Sequence, residues 1–186
     1  KDEVELRDLL YTAFRQDKAP FSIRYPRGSG QGIIRSQRFR ELEIGSWEML
    51  EQGTDVALLA VGTLVHPALW ARKLLARDGI SAGVFNCRFV KPMDVRMLEH
   101  VLSHYETVVT LEENVLHGGF GSQVSLYAAG RENPAGRILH MGIPDEFLKV
   151  GKRSVLLERL GLCPAGIQAF VKKALGVRVN EHSVKS

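Results

Sequence analysis

"DVALLAVG", Asp55 to Gly62, sets six apolar residues in a row between an acid and a glycine. An unbroken apolar run of this length fits a strand covered on both faces, not one half in water. The pattern repeats outward from it. A short Gly-Thr turn leads into Val65–Arg77, which is rich in helix formers. "ISAGVFN" then reads as a second buried strand and "ETVVTLEE" as a third. Between these two, Asp94 stands as the N-cap of a helix carrying Met97, Leu98, Val101 and Leu102. Phe120, Val124, Tyr127 and Ala128 mark the next helix, which Gly130 ends. "RILHMG" is another strand, Ser154–Leu160 a short helix, and Pro164 opens a last helix with Ile167, Phe170, Val171 and Ala174 on one stripe. "SWEML", ahead of the run, reads as a weaker strand.

Strands alternating with helices predict a mostly parallel sheet with helices on both faces. Residues 46–176 are expected to form this three-layer α/β/α sandwich. The residues before it look different. Asp2 caps an amphipathic helix with Leu6, Leu9, Leu10 and Ala13 on one face, Pro20 breaks it, and "FSIRY" reads as a short strand. Residues 28–45 have the polar, glycine-rich composition of a linker. The polar tail from Val177 is expected to fray.

Hydrophobic residues make up 45% of the 186 and charged residues 25%, an ordinary globular balance. No wholly apolar run nears the roughly 20 residues of a membrane span. Cys87 and Cys163 lie far apart, outside any metal-ligand spacing, and read as free thiols in a reducing compartment. The six histidines form no HExxH or HxH pattern. The net charge of +4 is uneven, because Phe21–Arg40 holds five arginines and no acid. Such a run is a solvated face, a grip for a phosphate-bearing small molecule, or a nucleic-acid contact. Few aromatics and no RNA-binding motif accompany it, so no nucleic-acid partner is expected.

Two stretches carry candidate chemistry. In "LEENVLHGGFGSQV" a buried strand ends in two acids, and Gly-Gly-Phe-Gly-Ser opens a helix. Glycines before a helix N-terminus allow an anion to approach, or allow tight strand-to-helix packing. The adjacent Glu112 and Glu113 point to opposite faces of a strand and do not form an acid/base pair. With Ser122 they read as structural or capping groups, while His117 and Lys91 read as solvated. In "RYPRGSG" Pro26 fixes the backbone between two arginines, so Arg27 leaves at a defined angle. Its planar guanidinium matches phosphate oxygens bidentately, or it is a surface arginine on a turn.

"KDEVELRDLLYTAF", "IRYPRGSGQG", "DVALLAVGT", "NCRFVKPMD", "TLEENVLHGGFGSQV" and "GIPDEF", in this order, resemble the C-terminal part of the 1-deoxy-D-xylulose-5-phosphate synthase family of the thiamine-diphosphate-dependent transketolase superfamily. "GGFGS" and "KPMD" also occur in 2-oxoacid dehydrogenase E1 β-subunits, which remain the alternative, as does a non-catalytic interaction module. The resemblance implies that residues 1–35 end a pyrimidine-binding domain, 36–45 link, 46–176 form a transketolase C-terminal domain with one antiparallel edge strand, and 177–186 are a tail. It implies a transferase acting on pyruvate and D-glyceraldehyde 3-phosphate to give 1-deoxy-D-xylulose 5-phosphate and CO2 for isoprenoid, thiamine and pyridoxal synthesis. It further implies thiamine diphosphate and Mg2+ as cofactors, a homodimer, no membrane, and a bacterial cytoplasm or plastid stroma.

By the same resemblance Arg27 holds the acceptor's phosphate. The family's Gly-Asp-Gly motif, its downstream Asn, the activating glutamate and the active-site histidines do not occur in this sequence. The chain is therefore expected to be a fragment with no catalytic residue, no cofactor-binding residue and no metal ligand. On this reading it is inactive alone and its role is structural.

Overall fold

The computed structural model describes residues 1–26, 28, 30, 32, 38–132 and 136–177. Five strands form one sheet: β1 (Glu48–Glu51), β2 (Val56–Ala60), β3 (Ala82–Asn86), β4 (Thr107–Val115) and β5 (Arg137–Ile143), in the order β1-β3-β2-β4-β5. All neighbours run parallel except β1, which pairs antiparallel with β3 at one edge. This is the mostly parallel sheet expected from the alternation of strands and helices, with the one antiparallel edge strand that the family resemblance implied.

Every residue of β2 is buried, and its alternation divides the core in two. Val56, Leu58 and Ala60 face a cluster built with Ala68, Ala71 and Leu75 of α2 (Val65–Arg77) and Ile167 and Val171 of α6 (Pro164–Ala174). Ala57 and Leu59 face the opposite cluster. It contains Leu98 and Val101 of α3 (Val95–His104) and Val124 and Ala128 of α4 (Phe120–Ala129). The caps read from sequence are present. Asp2 accepts from the Glu5 N–H at 2.8 Å and Asp94 from the Met97 N–H at 2.9 Å. The other Asp94 oxygen accepts from the Trp47 N–H at 2.8 Å, tying the start of α3 to the entry of β1. As a single stretch Arg153–Ala174 has the length and mean hydropathy of a membrane span. It is folded as α5 (Arg153–Arg159), a turn at Gly161 with φ of 70°, and α6, whose apolar side lies in the core.

The structure corrects two expectations. "FSIRY" forms no strand: residues 21–26 carry no regular secondary structure. An isolated extended segment gains nothing without a neighbouring strand edge to complete its ladder. The helix α1 (Glu3–Arg15) forms, but its buried residues are Glu5, Asp8 and Thr12. Of the apolar stripe, Leu6, Leu9 and Ala13 are half-buried and Leu10 is 53% exposed, while Phe14, outside the stripe, is 88% exposed. The buried polar groups are satisfied by the sandwich and the segment leading to it. Thr12 Oγ1 accepts from the Leu42 N–H at 2.8 Å and donates to the Asp8 carbonyl at 2.7 Å. Asp8 accepts from the Arg40 N–H at 3.3 Å, and Glu5 accepts from the Asn86 amide at 2.5 Å.

Full burial of β2 makes truncation there costly. Leu58→Ala is expected to lower unfolding free energy by about 2–5 kcal/mol, and Leu126→Ala, on the exposed side of α4, by under about 0.5 kcal/mol. Urea denaturation of both variants checks this, and similar losses at the two sites would contradict the assigned faces.

Candidate functional site

In an open α/β sheet the chain leaves the strand ends in opposite directions at one point, where the backbone opens a crevice that commonly takes a ligand. Here that point lies between β2 and β4. From β2 the chain crosses to β3 over the α2 face, and from β4 it crosses to β5 over the α4 face. Gly62 (φ 59°) and Thr63 follow β2, and Glu112–Asn114 lie near the end of β4.

The end of β4 is irregular. Between Leu111 and Val115 it advances four residues while β5 advances two, from Met141 to Ile143. The resulting bulge sends the two glutamates to different partners. Glu112, 2% exposed, accepts from the Phe120 N–H at 2.7 Å and the Gly121 N–H at 2.8 Å. Burial pushes its carboxyl above the ordinary range, against the pull of these two amides and of the Arg24 charge. Glu113 pairs with Arg153, whose Nε donates at 2.7 Å. The Thr63 hydroxyl donates to Glu113 at 3.2 Å and accepts from Arg153 at 2.8 Å. The crevice is thus lined by an ion pair of the chain's own residues.

This decides between the two readings of the glycine-rich helix start. The anion at the N-terminus of α4 is the Glu112 carboxylate itself. The glycines are there for packing. A Cβ on Gly119 would lie 2.4 Å from Glu112 Oε2, and one on Gly121 would lie 2.5 Å from His140 Nδ1 and 2.6 Å from Thr110 Oγ1. Gly142, at the start of "GIPDEF", yields to the bulge in the same way, since a Cβ there would meet the Asn114 carbonyl at 3.0 Å. Ser122 donates to the Leu116 carbonyl at 2.6 Å and closes the loop. His117 and Lys91 are exposed. The helix start therefore offers no seat for a diphosphate. Among the described residues no group of three His, Cys, Asp or Glu side chains is placed to hold a metal ion.

Arg27 lies outside the described residues. Its neighbour Arg24 is described, and its Nη2 donates to the Glu113 carbonyl at 3.3 Å. Sequence reasoning missed Arg153, Thr63 and His140. His140 bridges Thr110 Oγ1 and Ser125 Oγ at 2.8 Å each, joining β4, β5 and α4. Its partners are 30 and 15 residues away in sequence, so no local pattern announces it. Desolvation holds its imidazole below the ordinary 6.5.

The model of the transketolase C-terminal domain matches residues 45–167. The chain belongs to that family. Among curated relatives, 1-deoxy-D-xylulose-5-phosphate synthase of Aquifex aeolicus is 46% identical over 94% of this chain and 27% of its own length. The enzyme of the same name from Geobacillus thermodenitrificans is 43% identical over 92% of this chain and 27% of its own. The chain thus spans about a quarter of these relatives. Among solved structures, an inactive β4 tetramer of a split-gene transketolase superposes with a TM-score of 0.67 at 33% identity, covering 75% of this chain and 45% of that one. The fold and the family agree with the sandwich expected from the sequence.

Two outcomes test this packing. Gly121→Ala forces a methyl against His140 and Thr110 and is expected to cost about 1–3 kcal/mol in urea unfolding; an unchanged midpoint would refute the close approach. Desolvation makes His140 titrate lower in the fold than in the unfolded chain. Its contribution to stability is thus complete above 6.5 and is lost as pH falls through the lower folded value. An NMR titration of His140 with a midpoint above 6.5 would contradict this.

Proposed function

We propose that this chain is the C-terminal part of a thiamine-diphosphate-dependent 1-deoxy-D-xylulose-5-phosphate synthase. The full protein joins two carbons of pyruvate to D-glyceraldehyde 3-phosphate and releases CO2. One observation carries the reading. Similarity to the synthases runs over 94% of the chain, whereas the domain family accounts for residues 45–167. It therefore takes in residues ahead of the sandwich, where "RYPRG" lies. The inverted burial of α1 supports the proposed division, with residues 1–35 ending a preceding domain that covers Leu10 and Phe14.

Within this chain the proposed substrate contact is Arg27, whose guanidinium holds the acceptor's phosphate through paired charge-assisted hydrogen bonds. No other residue here touches reacting atoms in this reading. Thiamine diphosphate and Mg2+, which supply the decarboxylation and carbon–carbon bond formation, belong to the rest of the longer protein, and the isolated chain is inactive. In the full-length protein Arg27→Ala is expected to raise KM for glyceraldehyde 3-phosphate at least about tenfold, with KM for pyruvate little changed. Equal effects on the two substrates would refute the role.

A structural role stands beside the catalytic one. Phe147 and Val150, in the loop after β5, are fully exposed, and Trp70 is 58% exposed. Large apolar side chains left in water favour a covering partner, and the similar split-gene chain forms a tetramer. Self-association is the proposed role of the domain. Sedimentation equilibrium of the isolated chain is expected to show dimers or larger species, and a monomer at about 100 μM, far above the dissociation constants of stable complexes, would exclude it.

A further inference from the structure

The last turn of α3 carries "HVLSH", His100 to His104. Residues four apart share one face of a helix, and both histidines are exposed. Leu98, Val101 and Leu102 turn into the core and leave the pair facing water. The two rings lie 4.1 Å apart between centroids, with 35° between their planes. The spacing is that of the zinc-binding histidines of an HExxH helix. Val101 stands where that motif has its glutamate, so this pair offers ligands but no general base.

Hydrogen bonding decides which nitrogen of His104 is free. Its Nδ1 lies 2.7 Å from the His100 carbonyl. A carbonyl only accepts, so Nδ1 carries the proton and the lone pair of the neutral ring is at Nε2. A ring N–H held by a main-chain carbonyl is the arrangement that orients histidines in metal sites. Among the described residues no hydrogen bond engages either ring nitrogen of His100. The C-terminal end of a helix also favours a cation over an anion. The nearby carboxylate is already committed, since Glu99 accepts from Tyr127 at 2.7 Å and from Arg131 at 3.0 Å. Ser103 likewise accepts from Arg131 at 3.2 Å. The histidines are therefore the ligands this face can give.

The geometry points to a two-histidine site for a divalent transition-metal ion, held by His104 Nε2 and a ring nitrogen of His100, with water in the remaining positions. Nitrogen distances of about 2.0–2.1 Å need only side-chain rotation, because both rings are in solvent. Imidazoles suit Cu2+, Ni2+ and Zn2+, with Cu2+ bound most tightly, whereas Mg2+ takes oxygen ligands. Arg96, one turn before His100, is also exposed and is the cation that the ion must tolerate on this side of α3.

The test is calorimetric titration of the metal-free 186-residue chain with Cu2+, Zn2+ and Mg2+, together with NMR of its histidine rings. One Cu2+ is expected per chain, with Zn2+ weaker and Mg2+ not bound. Substoichiometric Cu2+, which is paramagnetic, broadens the His100 and His104 ring signals ahead of those of His66, His117 and His140. This part needs no variant. His100→Ala and His104→Ala each weaken Cu2+ binding at least about tenfold. The double variant loses little more than either, because one imidazole cannot chelate. His117→Ala, in an exposed loop, leaves binding unchanged. Two equal Cu2+ sites, one lost with each single variant, would make the histidines independent ligands and overturn the shared site. So would a single variant of wild-type affinity, or broadening that begins at another histidine.

Discussion

β2 meets no water on either face, and the arrangement of the domain follows from that constraint. A strand with Val56, Leu58 and Ala60 on one side and Ala57 and Leu59 on the other needs an apolar layer against each side. α2 and α6 supply one, and α3 and α4 the other. Parallel neighbours on both edges satisfy its backbone groups, so it must lie inside the sheet with crossovers leading away from it. The crevice above its end follows from those crossovers. So does the crowding there of Thr63, Glu113 and Arg153.

Glu112 is the second fixed point. A carboxylate buried beside a strand end costs free energy unless donors meet it, and the first turn of α4 offers two N–H groups with no helical partner. Each need answers the other, at the expense of side-chain bulk nearby. Gly119, Gly121 and Gly142 make room for the carboxylate, for His140 and for the bulge. The "EEN", "GGFG" and "GIPDEF" stretches are thus parts of one packing arrangement, although the last begins at Gly142, well beyond the other two in the chain.

The sandwich meets the buried face of α1 through polar groups, and the apolar stripe of the helix is only half-buried, with Leu10 exposed. Hydrogen bonds from Asn86, Arg40 and Leu42 hold Glu5, Asp8 and Thr12. Such a polar seam is typical of contacts between domains, not of a domain core. With Arg24 and Phe21 fastened to the sheet edge, the residues before the sandwich are fitted to it side chain by side chain without sharing its core.

Sequence alone determined the layers, the order of strands and helices and the caps at Asp2 and Asp94, because periodicity and capping are local and survive without knowledge of contacts. It also kept Glu112 and Glu113 from being read as a pair, and in the structure they bond to different partners. Local pattern failed where a partner decides. "FSIRY" has the alternation of a strand but no edge to join. The stripe of Leu6, Leu9, Leu10 and Ala13 has the spacing of a buried face, yet the buried face lies roughly a third of a turn away. The glycine-rich turn could have held a ligand or a helix start, and only the fold supplied Glu112 as its anion. Periodicity states which surface wants covering, and the tertiary structure decides what covers it, because hydrogen-bond and packing partners 30 to 90 residues apart meet only once the sheet is assembled.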